Sequence, residues 1–257
     1  RLGWLKTDQT ERTIVQLTQM ESLKQAEPLL AKYRDHATVD AAFAELTQEW
    51  DKYLDTLIVD TPDASMNSML NVHNPRQCHT TKNWSRYLSL YQLGYGARGI
   101  GFRDSSQDIL GVITHMPEEA REFIERLLSV QKANGSAMHQ FFPSTMEANE
   151  GDSREEEDRP DYYGDDHLWI VFAITQYVKE TGDSAFLNKV IPFYEKDDNG
   201  QLLEEGTVWD HICRSIEFTN SNTGQHGLPL LGFADWNDTV NLPTGAESVM
   251  IANMYGK

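Results

Sequence analysis

The sequence predicts an all-α protein, and three observations carry that prediction. Apolar residues recur at three- and four-residue steps, most clearly at Val39, Ala42, Phe43, Leu46, Trp50, Tyr53, Leu54 and Leu57. Helix punctuation is regular: Pro117 precedes Glu118-Glu119, Asp165-Asp166 precede an apolar run, and Gly182 follows one. No stretch alternates with a convincing strand period, and Leu228–Phe233 is the one candidate.

In chain order, residues 10–57 read as two helices, and Thr61-Pro62-Asp63 marks a break and a boundary. The Gly-rich loop Gly94–Asp104 leads into a helix over Ser105–Thr114. Pro117 sits at a first helical turn, and its helix runs to Ala133 and stops at Asn134-Gly135. Glu147–Asp161, with acids at Glu155, Glu156, Glu157 and Asp158, reads as a solvated loop. Asp165-Asp166 open a helix carrying Leu168, Val171, Phe172, Ile174 and Val178. Val208–Phe218 is another, closed by the turn-rich Asn220–Gly227. Ala234–Asp238 is a polar loop, and Glu247–Tyr255 starts a last helix.

Polar loops at 94–104, 161–166 and 234–246 each precede the N-terminus of an apolar helix. Where neighbouring helices pair antiparallel through short links, alternate helices point the same way. The three loops then collect at one end of a ring, which is how an α/α toroid forms a ligand cleft.

Charge narrows the partners. Lys and Arg number 22 against 40 Asp and Glu, a formal charge of −18. Such acidity repels nucleic-acid backbones and anionic membrane and suits a neutral ligand. Aromatic residues make up 10% of the chain, with six Trp, and flat apolar rings serve sugar sites as well as cores. Cys78 and Cys213 have neither metal-ligand spacing nor a disulfide framework, so both are expected to be buried thiols in a reducing compartment. The start, Arg1-Leu2-Gly3-Trp4-Leu5-Lys6, lacks a signal peptide's apolar core, and the apolar run Leu168–Ile174 is too short to span a bilayer. These features predict a cytoplasmic protein. The opening without Met, inside a helical pattern, reads as part of something longer.

Two motifs carry candidate chemistry. Gly94–Asp108 holds four glycines that let the backbone turn while Arg98, Arg103, Asp104 and Asp108 are displayed. Asp104 before Ser105-Ser106 fits a helix cap. A paired Arg and Asp facing a cleft would instead bracket a sugar's vicinal hydroxyls, one donating and one accepting. In Gly232–Asp238 a Trp stands between two acids. Inverting cleavage of a glycosidic bond needs a protonated carboxyl at the leaving oxygen, and an apolar neighbour such as Trp236 favours the protonated form. An Asx turn before Leu242-Pro243 explains the same residues, so the motif alone leaves both readings open. Tyr163-Gly164-Asp165-Asp166-His167 reads as a dipole-matched helix start rather than a metal site, since no second ligand cluster accompanies it. Arg86, upstream of the glycines, is a candidate anion contact. P-loop, dinucleotide, nucleophile-elbow and zinc motifs are absent.

Arg98–Asp108, Asp165–Trp169 and His226–Asp238, in that order, resemble the glycoside hydrolase family 94 phosphorylases of the cellobiose and cellodextrin type. The resemblance implies linker helices at 1–60 and about the first half of an (α/α)6 barrel at 61–257. It implies that Asp238 is the general acid and that Trp236 lies beside the donor sugar, which Arg98 and Asp104 hold. Arg86 is similar to a phosphate-binding Arg, although its spacing to Arg98 differs by one residue. No cofactor or metal is implied; inorganic phosphate is the co-substrate, attacking C1 of a β-linked gluco-oligosaccharide. Family members are longer, with a β-sandwich before the linker and further barrel carrying the remaining phosphate ligands. A chain of this length is therefore expected to self-associate or to meet a companion that supplies the rest of the barrel. Two other readings compete. An inverting hydrolase on the same toroid would need a second carboxylate, with Glu247 or Asp104 as nominees. A catalytically silent helical module would at most bind sugar.

Overall fold

The structure, a computed structural model, describes residues 5–18, 20–87, 99–155, 159–240 and 242–257. Arg98, the preceding part of the Gly-rich loop, and Glu156–Asp158 lie outside the described residues. The chain divides into two compact units, Arg1–Asp55 and Thr56–Lys257.

In the first unit, α1 spans Leu23–Lys32 and α2 spans His36–Leu54. Ser22 and Asp35 cap them, accepting from the backbone amides of Gln25 and Thr38. The apolar stripe expected on the second helix falls on α2 as far as Leu54, and Leu57 lies beyond its end. The expected first helix is shorter than its pattern: residues 10–18 are not helical, and Leu17 there is fully exposed. An apolar groove lined by Ile14, Leu30, Val39, Phe43 and Leu46 runs over this unit.

The second unit opens with a helical run not read from the sequence, Ala64–Tyr87. It alternates α-helix (α3, Ala64–Ser68; α4, Asn74–Thr80) with wide π turns at Met69–His73 and Thr81–Tyr87. The first wide turn ends two residues before Pro75, which has no N–H to close an α turn and whose ring crowds the carbonyl four residues back.

Then follow α5 (Phe102–Leu110), α6 (Pro117–Leu128), α7 (Asp166–Thr181), α8 (Val208–Ser221) and α9 (Val249–Tyr255). Helices α5, α6 and α7 pack on one another and share the main core, including Phe102, Ile109, Ile124, Leu127, Leu128, Ile170 and Ile174. Burying each such side chain stabilises the unit by roughly 1.5–3 kcal/mol. Helix α7 ends as expected, at Gly182 with φ 72°. Several helix ends differ from expectation: α5 ends at Leu110 and not Thr114, α8 runs on to Ser221, and α9 starts at Val249. Helix α5 starts at Phe102, so Asp104 sits inside its first turn instead of capping it. Helix α6 stops at Leu128, five residues early, because Gln131 pairs with Ala137 in a short bridge.

Short strands occur, though not at Leu228–Phe233, which makes only isolated bridges. Ile100–Gly101 (β1), Gln140–Phe141 (β2) and Ala148–Asn149 (β3) form one antiparallel sheet; Val190–Pro192 (β4) and Glu205–Thr207 (β5) form another. Two- and three-residue strands are too short to display a period. The described residues of the 147–161 segment are less solvated than expected, since β3 lies among them and Ser153 is buried.

Helix α8 buries Val208, His211, Ser215 and Thr219, a stripe spaced by three and four. Cys213 falls off that stripe and is exposed, and Cys78 is half-buried, so neither is the buried thiol expected. No helix among the described residues is long and apolar enough to cross a membrane.

Candidate active site

Two backbone segments are laid side by side to form the floor of the site. Phe233 N donates to Tyr162 O at 2.8 Å, and Gly164 N reaches Leu231 O at 3.1 Å and Ala234 O at 3.0 Å. This contact depends on two glycines. A Cβ on Gly164 would stand 2.6 Å from Leu231 O, and one on Gly232 (φ +70°) would stand 2.5 Å from Tyr162 O. The start of α7 and the loop Ala234–Asp238 are thereby held together.

Arg103, in the first turn of α5, joins them. Its side chain is only 6% exposed, and its fork engages both segments. Nη1 donates to Asp238 Oδ1 at 2.8 Å and to Trp236 O at 3.3 Å; Nη2 donates to Asp165 Oδ1 at 2.9 Å and to Asp235 O at 3.0 Å. Nε lies 2.9 Å from Asp165 Oδ2 and 3.2 Å from Asp166 Oδ1, close in charge but not aligned as hydrogen bonds. Asp235 accepts from Ser248 Oγ at 2.8 Å, and Ser248 caps α9. The N-termini of α5, α7 and α9, alternate helices of the expected ring, therefore converge on one arginine.

Asp165 stands at the N-cap of α7, yet its carboxylate does not cap. It accepts from Arg103 and, at 2.9 Å, from Trp169 Nε1. Burial, and next the charge of Asp166, push the Asp165 pKa up to about 7 against the pull of Arg103 and Trp169. Asp166 Oδ2 meets His139 Nδ1 at 2.8 Å. Burial works against a charged His139, but Asp166 outweighs it and raises the His139 pKa. The His139 ring stacks on Tyr163, with centroids 3.6 Å apart. Arg103 is likewise driven further into its charged form: burial opposes this, and Asp166, Asp165 and Asp238 overcome it. Among the described residues no three His, Cys, Asp or Glu side chains cluster to hold a metal ion.

The residues singled out from the sequence distribute as follows. Asp238 and Trp236 lie on the open side of Arg103, each 57% exposed. Asp235 accepts from Asn237 N at 3.1 Å and makes the Asx turn, while Asp238 does not share that duty. Asp104 and Arg86 are brought together: Arg86 Nη1 is 3.3 Å from Asp104 Oδ2, and Nε donates to Asp108 Oδ2 at 3.0 Å. Burial pushes Asp108 up to about 6, opposed by Arg86. Arg98 lies outside the described residues. Glu247 accepts from the amides of His226 and Leu228, at 2.9 and 3.1 Å, and from the His226 ring. Those bonds, the His226 ring foremost, lower its pKa. Glu247 therefore secures the 224–228 turn and is not poised as a base.

Sequence reasoning passed over the hub. Arg103 stood in the right motif, and its central place was hidden because its partners lie 62 and 135 residues away. Asp165 and Asp166 were read as a helix start, which they are, without the buried ion network. Nothing local marks His139.

Residues 49–256 match a family model described as the glycosyl hydrolase 94 superfamily, catalytic domain. Among curated proteins, the chain is 34% identical over 244 residues to the N,N'-diacetylchitobiose phosphorylase of Vibrio furnissii, an alignment covering 89% of this chain and 29% of that protein. It is 29% identical over 224 residues to the solabiose phosphorylase of Paenibacillus borealis, covering 86% and 25%. It is also 29% identical over 207 residues to the cyclic beta-(1,2)-glucan synthase NdvB of Rhizobium meliloti, covering 75% and 7%. The chain thus spans less than a third of the length of these relatives.

Proposed function

Starting from the fact that this chain belongs to the glycosyl hydrolase 94 superfamily, as catalytic domain, we propose that it contributes to phosphorolysis of a β-linked gluco-oligosaccharide. In this reading residues 61–257 are about the first half of an (α/α)6 barrel and 1–60 its linker helices. The meeting of alternate helix N-termini at Arg103 supports the ring arrangement. The observation that carries the function is Asp238: a half-exposed carboxyl beside the equally open Trp236, anchored from behind by a buried arginine.

The chemistry follows from that arrangement. Trp236 offers its ring face to a sugar. The Asp238 carboxyl gives its proton to the departing glycosidic oxygen while phosphate attacks C1 from the opposite face. The C1–O bond to the leaving sugar breaks, a C1–O bond to phosphate forms, and the anomeric centre inverts. Phosphate is already a nucleophile, so no carboxylate base is required. Arg98 and Asp104 are assigned to the donor sugar, and Arg86 to phosphate. For that, Arg86 must exchange a carboxylate partner, Asp104 or Asp108, for phosphate.

The names of the relatives include phosphorylases of N,N'-diacetylchitobiose and of solabiose. A substrate of the cellobiose or cellodextrin type is one member of the sugar class to be tested. The hydrolase alternative loses support because Glu247 is engaged in its turn and Asp104 in its pair with Arg86. A groove of about 910 Å³ between α7 and α9, lined by Leu168, Phe172, Ile216, Met250 and Met254, supports cover by further polypeptide or a companion chain.

The test is a panel of β-linked disaccharides, including cellobiose and N,N'-diacetylchitobiose, given to the protein that carries this chain. Sugar 1-phosphate should appear and rise with phosphate concentration. Equal release of free sugar without phosphate would support the hydrolase; no turnover of any member would leave the silent module.

A further inference from the structure

The proposed mechanism assigns a proton to Asp238 but does not say what aims it. Asn237 accepts from Thr239 N, Thr239 Oγ1 and Val240 N, and the loop begins at Asp235, which accepts from Asn237 N and Ser248 Oγ; none of these bonds takes the Asp238 carboxylate. The acid lies three residues further on and half in solvent, where a carboxyl side chain would otherwise sample several rotamers. Arg103 supplies the missing constraint. It reaches the backbone carbonyls of Asp235 and Trp236 and the carboxylate of Asp238 with one planar group. That group is itself fixed from behind by Asp165 and Asp166, both fully buried. A guanidinium is suited to this, because its donors leave in fixed directions, whereas an ammonium offers one movable centre.

We infer that Arg103 is the positioning residue of this site: anchored on Asp165 and Asp166, it fixes loop 235–238 and orients the Asp238 carboxyl. The inference rests on reading Asp238 as the general acid. The contact also selects which oxygen works. Oδ1 accepts from Nη1, so the transferable proton belongs on Oδ2. As the C1–O bond breaks, that proton passes to the leaving oxygen, and the new carboxylate is met by a charge already in place. Pre-set electrostatics of this kind require no reorganisation during the reaction.

The test compares Arg103→Lys with wild type in the protein that carries this chain. Lysine keeps a positive charge among Asp165 and Asp166 but has no fork to reach Asp238 as well. Two substrates are used: a β-linked disaccharide, which needs protonation to leave, and a nitrophenyl β-glucoside, which needs little. Misplacing a catalytic group by about 1 Å can cost on the order of 10²-fold. Arg103→Lys should therefore lower kcat on the disaccharide by roughly 10- to 100-fold with little change in KM, and spare the nitrophenyl substrate. Asp165→Asn, which loosens one anchor and keeps the arginine, should show the same pattern more weakly. Independently of turnover, amide hydrogen exchange at residues 235–239 should be faster in Arg103→Lys, with the α6 and α7 cores unchanged.

Equal losses on both substrates, or unchanged exchange at 235–239, would overturn the inference. If wild type forms no sugar 1-phosphate, the phosphorylase reading fails, and exchange alone then decides whether Arg103 holds the loop.

Discussion

Asp165 and Asp166 are completely buried at the start of α7, whereas Asp238, which answers to the same arginine, leaves 57% of its side chain open. The buried pair meets only protein: Arg103, His139 and Trp169 take its oxygens. Asp238 meets Arg103 on one oxygen and faces the open side with the rest. One residue type thus fills two roles, and burial decides between them. A carboxylate without solvent access can anchor a charge, but it cannot reach a substrate. An exposed one can reach a substrate, provided something else keeps it in place. Each kind of group makes the other useful.

Asp238→Asn keeps shape and hydrogen bonding but has no proton to give. Turnover of a β-linked disaccharide should fall about 10²–10⁴-fold, while a thermal melt stays near wild type. Asp235→Asn should do far less, since the amide oxygen can still accept from Asn237 N and Ser248. If the Asp235 change abolished turnover and the Asp238 change did not, the roles of the two would be reversed.

Asp166→Ala should show the opposite profile. It leaves a buried guanidinium and His139 short of countercharge, and removing one partner of a buried ion pair costs about 3–5 kcal/mol. Denaturant unfolding should show that loss. A change under about 1 kcal/mol would mean the network is not anchoring α7. Ser248→Ala removes the cap of α9 and the latch on Asp235 together. It should cost about 1 kcal/mol, read from the same unfolding curves.

The smallest effect is a pH dependence beside the hub. His167 is wholly buried, with Nε2 2.7 Å from Thr219 Oγ1, and burial lowers its pKa from 6.5 to about 4 against the pull of Asp166. Between those values the unfolded chain binds the extra proton, so this contribution is complete above pH 6.5 and is lost as pH falls towards 4. Asp165 works the other way. Its folded pKa near 7 lies above its ordinary 3.8, so its contribution weakens as pH rises through that window. Unfolding midpoints at pH 7 and pH 5 should therefore differ more in favour of pH 7 for wild type than for His167→Gln. An identical difference in the two proteins would show that His167 is not held neutral.

Much of this organisation was legible before the structure. The Gly182 stop of α7, the proline start of α6 and the meeting of the α5, α7 and α9 starts follow from local punctuation, whereas of the expected α7 stripe only Leu168 and Ile174 are buried, and Ile170, Ala173 and Tyr177 complete the apolar core face instead of Val171, Phe172 and Val178. The start of α5 was misread because Gly101, its N-cap, makes no side-chain cap bond, so the eye falls on Asp104 instead. The role of Arg103 was not legible in principle. Arginine beside aspartate in a Gly-rich loop says that charge is displayed, not which distant carboxylate receives it. That depends on Gly164 and Gly232 letting two backbones touch, a contact between residues far apart in sequence. The two-residue strands were invisible for a simpler reason, since a period needs more residues than they have.

In the proposed reaction phosphate attacks C1, and the anomeric centre inverts. This is tested most directly by following a β-linked disaccharide and phosphate by NMR in the protein that carries this chain, with Asp238→Asn alongside. The first product seen should be the α-anomer of the sugar 1-phosphate, formed by wild type and scarcely by Asp238→Asn. A β-configured 1-phosphate, or free sugar formed at the same rate without phosphate, would contradict it.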